Sequence, residues 1–162
     1  MQKRRFPFVL TALLALATAL AAHGQSGKGK LGATLKGSNE TPAVDTKATG
    51  TATFTVSATS VEYKITASGL SGNATGAHIH IGPTTASGPV VVPFPATAIN
   101  NGANGSVTIS GTFTAADIKP QTNPPVKTMD DLLGQIRAGN TYVNVHTAAH
   151  PGGEIRGQIT TQ

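Results

Sequence analysis

Between Thr51 and Ala67 the side chains alternate residue by residue: Ala52, Phe54 and Val56 against Thr51, Thr53 and Thr55, then Val61, Tyr63, Ile65 and Ala67 against Glu62, Lys64 and Thr66. Only an extended chain gathers such a set onto one side. Successive strand side chains point to opposite faces, whereas a helix scatters them around its circumference. The two runs read as half-buried strands, with Ala58-Thr59-Ser60 between them short enough for a hairpin. Leu31, Ala33 and Leu35 carry the same pattern earlier in the chain, and Val107, Ile109 and Phe113 carry it later. With 24 threonines, 19 glycines and 10 prolines among 162 residues, too few helix-forming residues remain beyond the N-terminus for a bundle. The expectation is an all-β domain, a two-sheet antiparallel β-sandwich of about eight strands.

Gly76 to Ile81 reads as a short strand with Ala77, Ile79 and Ile81 on one face and both His78 and His80 on the other. Val90-Val91-Val92 ends at Pro93 and Pro95, which suits a sheet edge because proline cannot donate to a ladder. Helix signals occur twice, at Thr114 with Asp117 and at Thr128 with Asp131, each in the arrangement of a capping box. After the second, Leu132, Leu133 and Ile136 share a side, Arg137 sits in the last turn and Gly139 suits the C′ position. One short connecting helix is therefore expected near 128–138. Thr141 to His146 and Glu154 to Thr160 read as the closing strands.

At the N-terminus, Lys3, Arg4 and Arg5 precede an apolar run from Phe6 to Ala22 that ends in small residues, the pattern of a secretory signal peptide over 1–22. Residues 23–30 then read as a flexible leader and 31–162 as the domain, secreted or periplasmic, with no membrane anchor once the signal is removed. Three of the twelve Lys and Arg lie in the signal and none of the seven Asp and Glu does, which leaves nine basic against seven acidic residues, a charge of +2. Those nine are scattered singly and aromatic residues make up 4% of the chain, so a nucleic-acid partner is excluded. The absence of cysteine excludes a disulfide scaffold, a thiolate metal centre, an iron–sulfur cluster and a cysteine nucleophile. Nucleophile-elbow, Walker and zincin signatures are missing from the sequence, and no dinucleotide fingerprint follows a strand.

Four blocks of the chain carry a family resemblance: Leu35-Lys36-Gly37-Ser38-Asn39-Glu40-Thr41-Pro42, Gly50-Thr51-Ala52-Thr53-Phe54, Ala77-His78-Ile79-His80, and Tyr142-Val143-Asn144-Val145-His146-Thr147 with Pro151-Gly152-Gly153-Glu154-Ile155-Arg156-Gly157-Gln158. In this order they resemble the CHRD domain, the repeated domain of chordin that also occurs alone in many secreted bacterial proteins, over roughly residues 31 to 160. The resemblance implies a secreted or periplasmic β-sandwich of immunoglobulin-like look, similar in appearance to the copper–zinc superoxide dismutase barrel. It implies no settled biochemical activity, and the growth-factor antagonism of chordin does not transfer through fold alone.

The candidate chemistry lies in the histidines. His78 and His80, two apart on a strand, place their rings on one face, close enough to converge on one ion. His146 shares a face with Tyr142 and Asn144, opposite Val143 and Val145. If the strands are neighbours, three imidazoles could hold Cu(II) or Zn(II), with His150 in the following turn as a candidate fourth ligand. The competing reading is a polar network of ring nitrogens with backbone carbonyls and Asn144. Glu154 and Arg156, two apart, are expected on one face, as an ion pair or sheet-edge network, or with Glu154 orienting a ligating imidazole. Asn39 and Glu40 are expected to close their loop through hydrogen bonds to its backbone. The expected function is a non-enzymatic binding module with a mononuclear copper or zinc site and an extracellular or envelope protein or glycan as partner. The alternatives are a structural or adhesive module and, less favoured, a superoxide-dismutase-like copper enzyme. That enzyme resembles a two-metal site of about six histidines and an aspartate, more than the four histidines outside the signal and leader.

Overall fold

The computed structural model describes residues 29–162, so the signal-peptide reading of 1–22 and most of the 23–30 leader fall outside it. The first strand takes in Lys30, the last residue of that leader. The strands in chain order are β1 (Lys30–Lys36), β2 (Thr49–Val56), β3 (Ser60–Ser68), β4 (Ala74–Ile81), β5 (Val90–Pro93), β6 (Ile99–Asn101) and β7 (Val107–Thr114). They are followed by the short β8 (Gln121–Thr122) and β9 (Pro125–Val126), the helix α1 (Met129–Arg137), then β10 (Thr141–Thr147), β11 (Ile155–Gln158) and β12 (Thr160–Thr161). The fold is all-β and antiparallel. Its two walls belong to one curled sheet ordered β5-β4-β10-β11-β1-β2-β3-β7-β6, with β12 also on β1 and β8-β9 as a separate hairpin.

The alternation at Thr51–Ala67 becomes the β2–β3 hairpin, in register from Thr49↔Ser68 to Val56↔Val61. Its apolar set, with Leu35, Ile109 and Phe113, faces inward and is buried. The opposing wall contributes Ala77, Ile79, Val143, Val145 and Ile155, all inaccessible. Burying such side chains is the main stabilising term, about 1.5–3 kcal/mol for each large one. Curling brings the far ends of the sheet together. Phe94, just past β5, stacks on Tyr63 of β3 with ring centroids 4.1 Å apart. The Asn101 side chain of β6 also clasps the backbone of Ala74 in β4, accepting from its N–H at 2.8 Å and donating to its carbonyl at 3.1 Å. A side-chain amide thus substitutes for a ladder where backbone pairing has stopped. On the other edge, Val91 and Val90 carbonyls accept from Lys119 N–H and Gln121 Nε2, which covers β5 as an edge strand must be covered.

Both capping boxes form, with different outcomes. Thr128 and Asp131 start α1, whose Leu132, Leu133 and Ile136 are buried, and Gly139 takes φ +73° just past its end. Thr114 and Asp117 start only a three-residue 3-10 turn. Pro120 follows closely, and the residue before a proline is disfavoured in the helical region, so the turn cannot extend. The segment after Pro120 forms the β8–β9 hairpin, with Gln121 opposite Val126 and Thr122 opposite Pro125. Among the described residues no helix is long and apolar enough to cross a membrane.

Candidate metal centre

Strand β4 lies beside β10 in antiparallel register, with His78 opposite Asn144, His80 opposite Tyr142 and Gly76 opposite His146. Strand β11 continues the rows, with Arg156 beside Asn144 and Gln158 beside Tyr142. Residues directly opposite across a ladder point to the same face, so all of these side chains share the outer face of this wall. That face is covered by chain. The segments 37–45, 82–89 and 148–153 fold over it; the last two bring backbone carbonyls to Arg156, His80 and His146 beneath, and the first brings the Thr41 hydroxyl to Arg156.

The register brings His78, His80 and His146 together, with their nearest ring nitrogens all within 4.8 Å of one another. His78 Nδ1 and His146 Nε2 are 3.0 Å apart, and the His78 and His80 rings meet edge-on with centroids 5.6 Å apart. Gly76 opposite His146 leaves the space into which the His78 ring leans. Burial lowers the affinity of all three imidazoles for protons, and for His78 the neighbouring rings add to it, bringing that group down to about 4. The rings are therefore neutral at physiological pH, the form that binds metal.

Proton positions follow from the partners. His146 Nδ1 lies 3.0 Å from the Pro151 carbonyl and His80 Nδ1 lies 2.8 Å from the Gly88 carbonyl. A carbonyl only accepts, so both Nδ1 atoms carry the hydrogen and both Nε2 atoms present lone pairs. His80 Nε2 is buried without any hydrogen-bond partner, in a residue only 8% exposed. His146 Nε2 faces His78 Nδ1 and, at 3.0 Å, Asn144 Oδ1. One proton on His78 Nδ1 can satisfy at most part of this set, so lone pairs outnumber donors. His80 is further fixed by stacking on Tyr142, with centroids 4.7 Å apart, and the Arg156 guanidinium lies 3.3 Å from the centre of the Tyr142 ring.

The other expected site residues fall in different places. His150 belongs to the turn after β10 and is not part of the histidine group. Glu154 and Arg156 do not pair. Glu154 precedes β11, just after Gly153 at φ +123°, so the strand's alternation does not reach it. It is fully buried and accepts from Thr46 Oγ1, Ser71 N–H, Ser71 Oγ and Thr147 Oγ1 at 2.7–2.9 Å, and it touches no imidazole. Burial pushes its carboxyl up, but these four hydrogen bonds together outweigh that and hold it below the usual range. Arg156, 1% exposed, donates to the Pro83 and Ala86 carbonyls and, at 3.5 Å, to Thr41 Oγ1. Asn39 bonds backbone, but that of the strands, donating to the Arg156 and Thr34 carbonyls, so it pins the loop to β11 and β1.

Glu40 is the residue whose role sequence reasoning missed. It lies beneath the loop it was expected to close, 8% exposed, with Oε1 lacking a hydrogen-bond partner. Burial raises its carboxyl to about 7, against opposing pulls from the Arg156 guanidinium, the Asn144 amide and the Thr41 backbone. Gly153 is required here for space, since a Cβ would lie 2.3 Å from Glu40 Oε1 and 2.7 Å from Asn144 Nδ2. A buried acid so near an asparagine that contacts His146 had no signal in the sequence beyond Gly-Gly before Glu154.

No curated protein matches the chain. The model of the CHRD domain matches residues 31–159, all of the sheet but Lys30 and β12, together with the loops that cover the histidine face. By that match the chain belongs to the CHRD domain family, which is not known as enzymatic.

Proposed function

We propose that the protein is a secreted, non-enzymatic binding module that holds one Cu(II) or Zn(II) ion on His78, His80 and His146. The observation that carries this reading is the excess of lone pairs: two imidazoles donate Nδ1–H to backbone carbonyls, the arrangement that fixes a ligating tautomer, and aim Nε2 at one another's neighbourhood. The unpartnered His80 Nε2 is the kind of buried acceptor that a cation relieves. Two ligands at bond lengths of about 2.0–2.1 Å can lie at most about 4.2 Å apart, so the 4.8 Å spread closes by small ring rotations. Three histidines fall short of the two-metal set that a superoxide-dismutase-like enzyme would need. Secretion is supported by the Lys3-Arg4-Arg5 start and the apolar run after it, and the macromolecular partner on this reading is an extracellular or envelope protein or glycan.

Isothermal titration of the purified, chelator-treated protein with Cu(II) and with Zn(II) tests the reading, run beside the His78→Ala/His80→Ala/His146→Ala variant. A one-to-one transition of micromolar or tighter affinity, lost in the variant and weakening as pH falls, is the expected result. If the wild type gives no specific heat while the variant is destabilised, the histidines form a structural polar network and the module binds through another surface.

A further inference from the structure

The Asn144 side chain lies between two acceptors. On one side is His146 Nε2, 3.0 Å from Asn144 Oδ1, and it cannot donate because the ring's hydrogen is on Nδ1 against Pro151. On the other is the buried Glu40 carboxylate, with Asn144 Nδ2 and Glu40 Oε1 crowding the same point above Gly153. An amide has one donating end, so it can satisfy only one of two opposing acceptors. The carboxylate is the stronger acceptor, because charge-assisted hydrogen bonds are about twice as strong as neutral ones. The amide nitrogen therefore belongs toward Glu40, and the carbonyl oxygen is left against an imidazole lone pair. Turning the amide over would relieve His146 and set the oxygen against Glu40 instead. With Glu40 ionised, neither orientation satisfies both ends within the protein alone, and Asn144 is 2% exposed, too buried for water to resolve the conflict freely.

We propose, building on the three-histidine reading above, that Asn144 Oδ1 is a fourth ligand of the same cation, with Glu40 the positioning residue that keeps the amide oxygen turned toward it. A cation between Oδ1 and the ring nitrogens turns the repulsive contact into two coordinate bonds. Hard carbonyl oxygen beside imidazole suits the borderline divalent ions Zn(II) and Cu(II), with Cu(II) favoured where ligands of N and O are set in a tetragonal plane. The register explains why this residue is in place: Asn144 stands directly opposite His78 and two residues from His146 on one face, so β4 and β10 present four donors from two adjacent rows.

Cu(II) and Zn(II) titrations of the wild type, Asn144→Ala and Asn144→Asp, with the Cu(II) electron paramagnetic resonance spectrum of each, test the assignment. Removing the oxygen in Asn144→Ala lowers affinity by about tenfold or more and shifts the copper spectrum. The isosteric Asn144→Asp supplies an anionic oxygen at the same position and restores affinity to the wild-type value or above, a gain that a damaged fold cannot produce. The assignment is overturned if Asn144→Ala binds as the wild type does with an unchanged spectrum. It is overturned equally if Asn144→Asp is as weak as Asn144→Ala, because the side chain then matters only for shape. If the wild type binds neither ion, the three-histidine reading falls and this inference falls with it, whereas binding that ignores Asn144 removes the fourth ligand alone.

Discussion

The wall of β1, β2, β3 and β7 and the wall of β4, β10 and β11 are built on the same pleat and finish their outer faces in opposite ways. On the first, Thr34, Thr51, Thr66 and Thr108 stand side by side across four strands and remain open to water. Their hydroxyls touch, as Thr51 and Thr66 do at 3.2 Å, but solvent can complete every bond. On the second, the corresponding row is His78, Asn144 and Arg156, and loops have closed over it. Each polar group there must find its partner within the protein, so those left without one carry information that an exposed threonine cannot. An outward polar residue is anonymous under water and diagnostic under a loop.

Removing a hub from the covered wall should have the largest effect. Glu154→Ala leaves the hydroxyls of Thr46, Ser71 and Thr147 and the Ser71 N–H without their acceptor, and chemical denaturation should show a loss of about 3–5 kcal/mol. A loss below about 1 kcal/mol would break the contrast between the walls at its strongest point.

An intermediate effect, with a pH signature, belongs to Glu40. Its folded carboxyl titrates at about 7 against 4.5 as the ordinary value, so the folded state holds the proton more tightly. Stability due to this group is full below 4.5, falls as pH rises to about 7 and stays reduced above that. The three imidazoles, all held low by burial, act in the opposite direction: their contribution is present above 6.5 and is lost as pH falls toward the folded value, about 4 for His78. The two slopes partly cancel in the wild type. Glu40→Gln removes one of them, so urea midpoints should place the variant above the wild type by on the order of 2 kcal/mol near pH 8, with the advantage gone near pH 4.5. A pH-independent difference would mean that Glu40 is not the buried acid described.

The smallest effect is expected on the open wall. Thr51→Ala and Thr53→Ala should each change stability by no more than about 0.5 kcal/mol, since neither side chain is enclosed. A larger loss in thermal melts would show that the threonine face is covered by something in solution.

The same contrast decides what could be read from the sequence. Strict alternation in β2 and β3, the two capping boxes and the proline-ended β5 all depend on neighbours within a few residues, and each is where the pattern put it. The histidine face was legible as a face, because period two says which side chains share a side. It does not say what lies above them. The burial of Asn144, the carbonyls of Pro83, Gly88 and Pro151 that aim at Arg156 and the imidazoles, and the depth of Glu40 come from loops without periodicity, folded back from distant positions. Glu154 was misplaced for a local reason, since Gly153 ends the alternation one residue before it would have applied.

Strand β1 is the seam between the walls, and it couples the beginning of the domain to its end. One side of it pairs along its length with β2, while the other meets β11 at Lys36↔Arg156 and β12 at Gly32↔Thr160 and Leu31↔Thr161. During synthesis the first strand is therefore made early and completed last, when the final residues of the domain have emerged. Until then one edge of β1 stays open to any passing strand. Contacts of such sequence separation close slowly. A sheet whose first strand is completed only by its last residues therefore spends longer with one edge unpaired than a sheet closed by neighbouring hairpins.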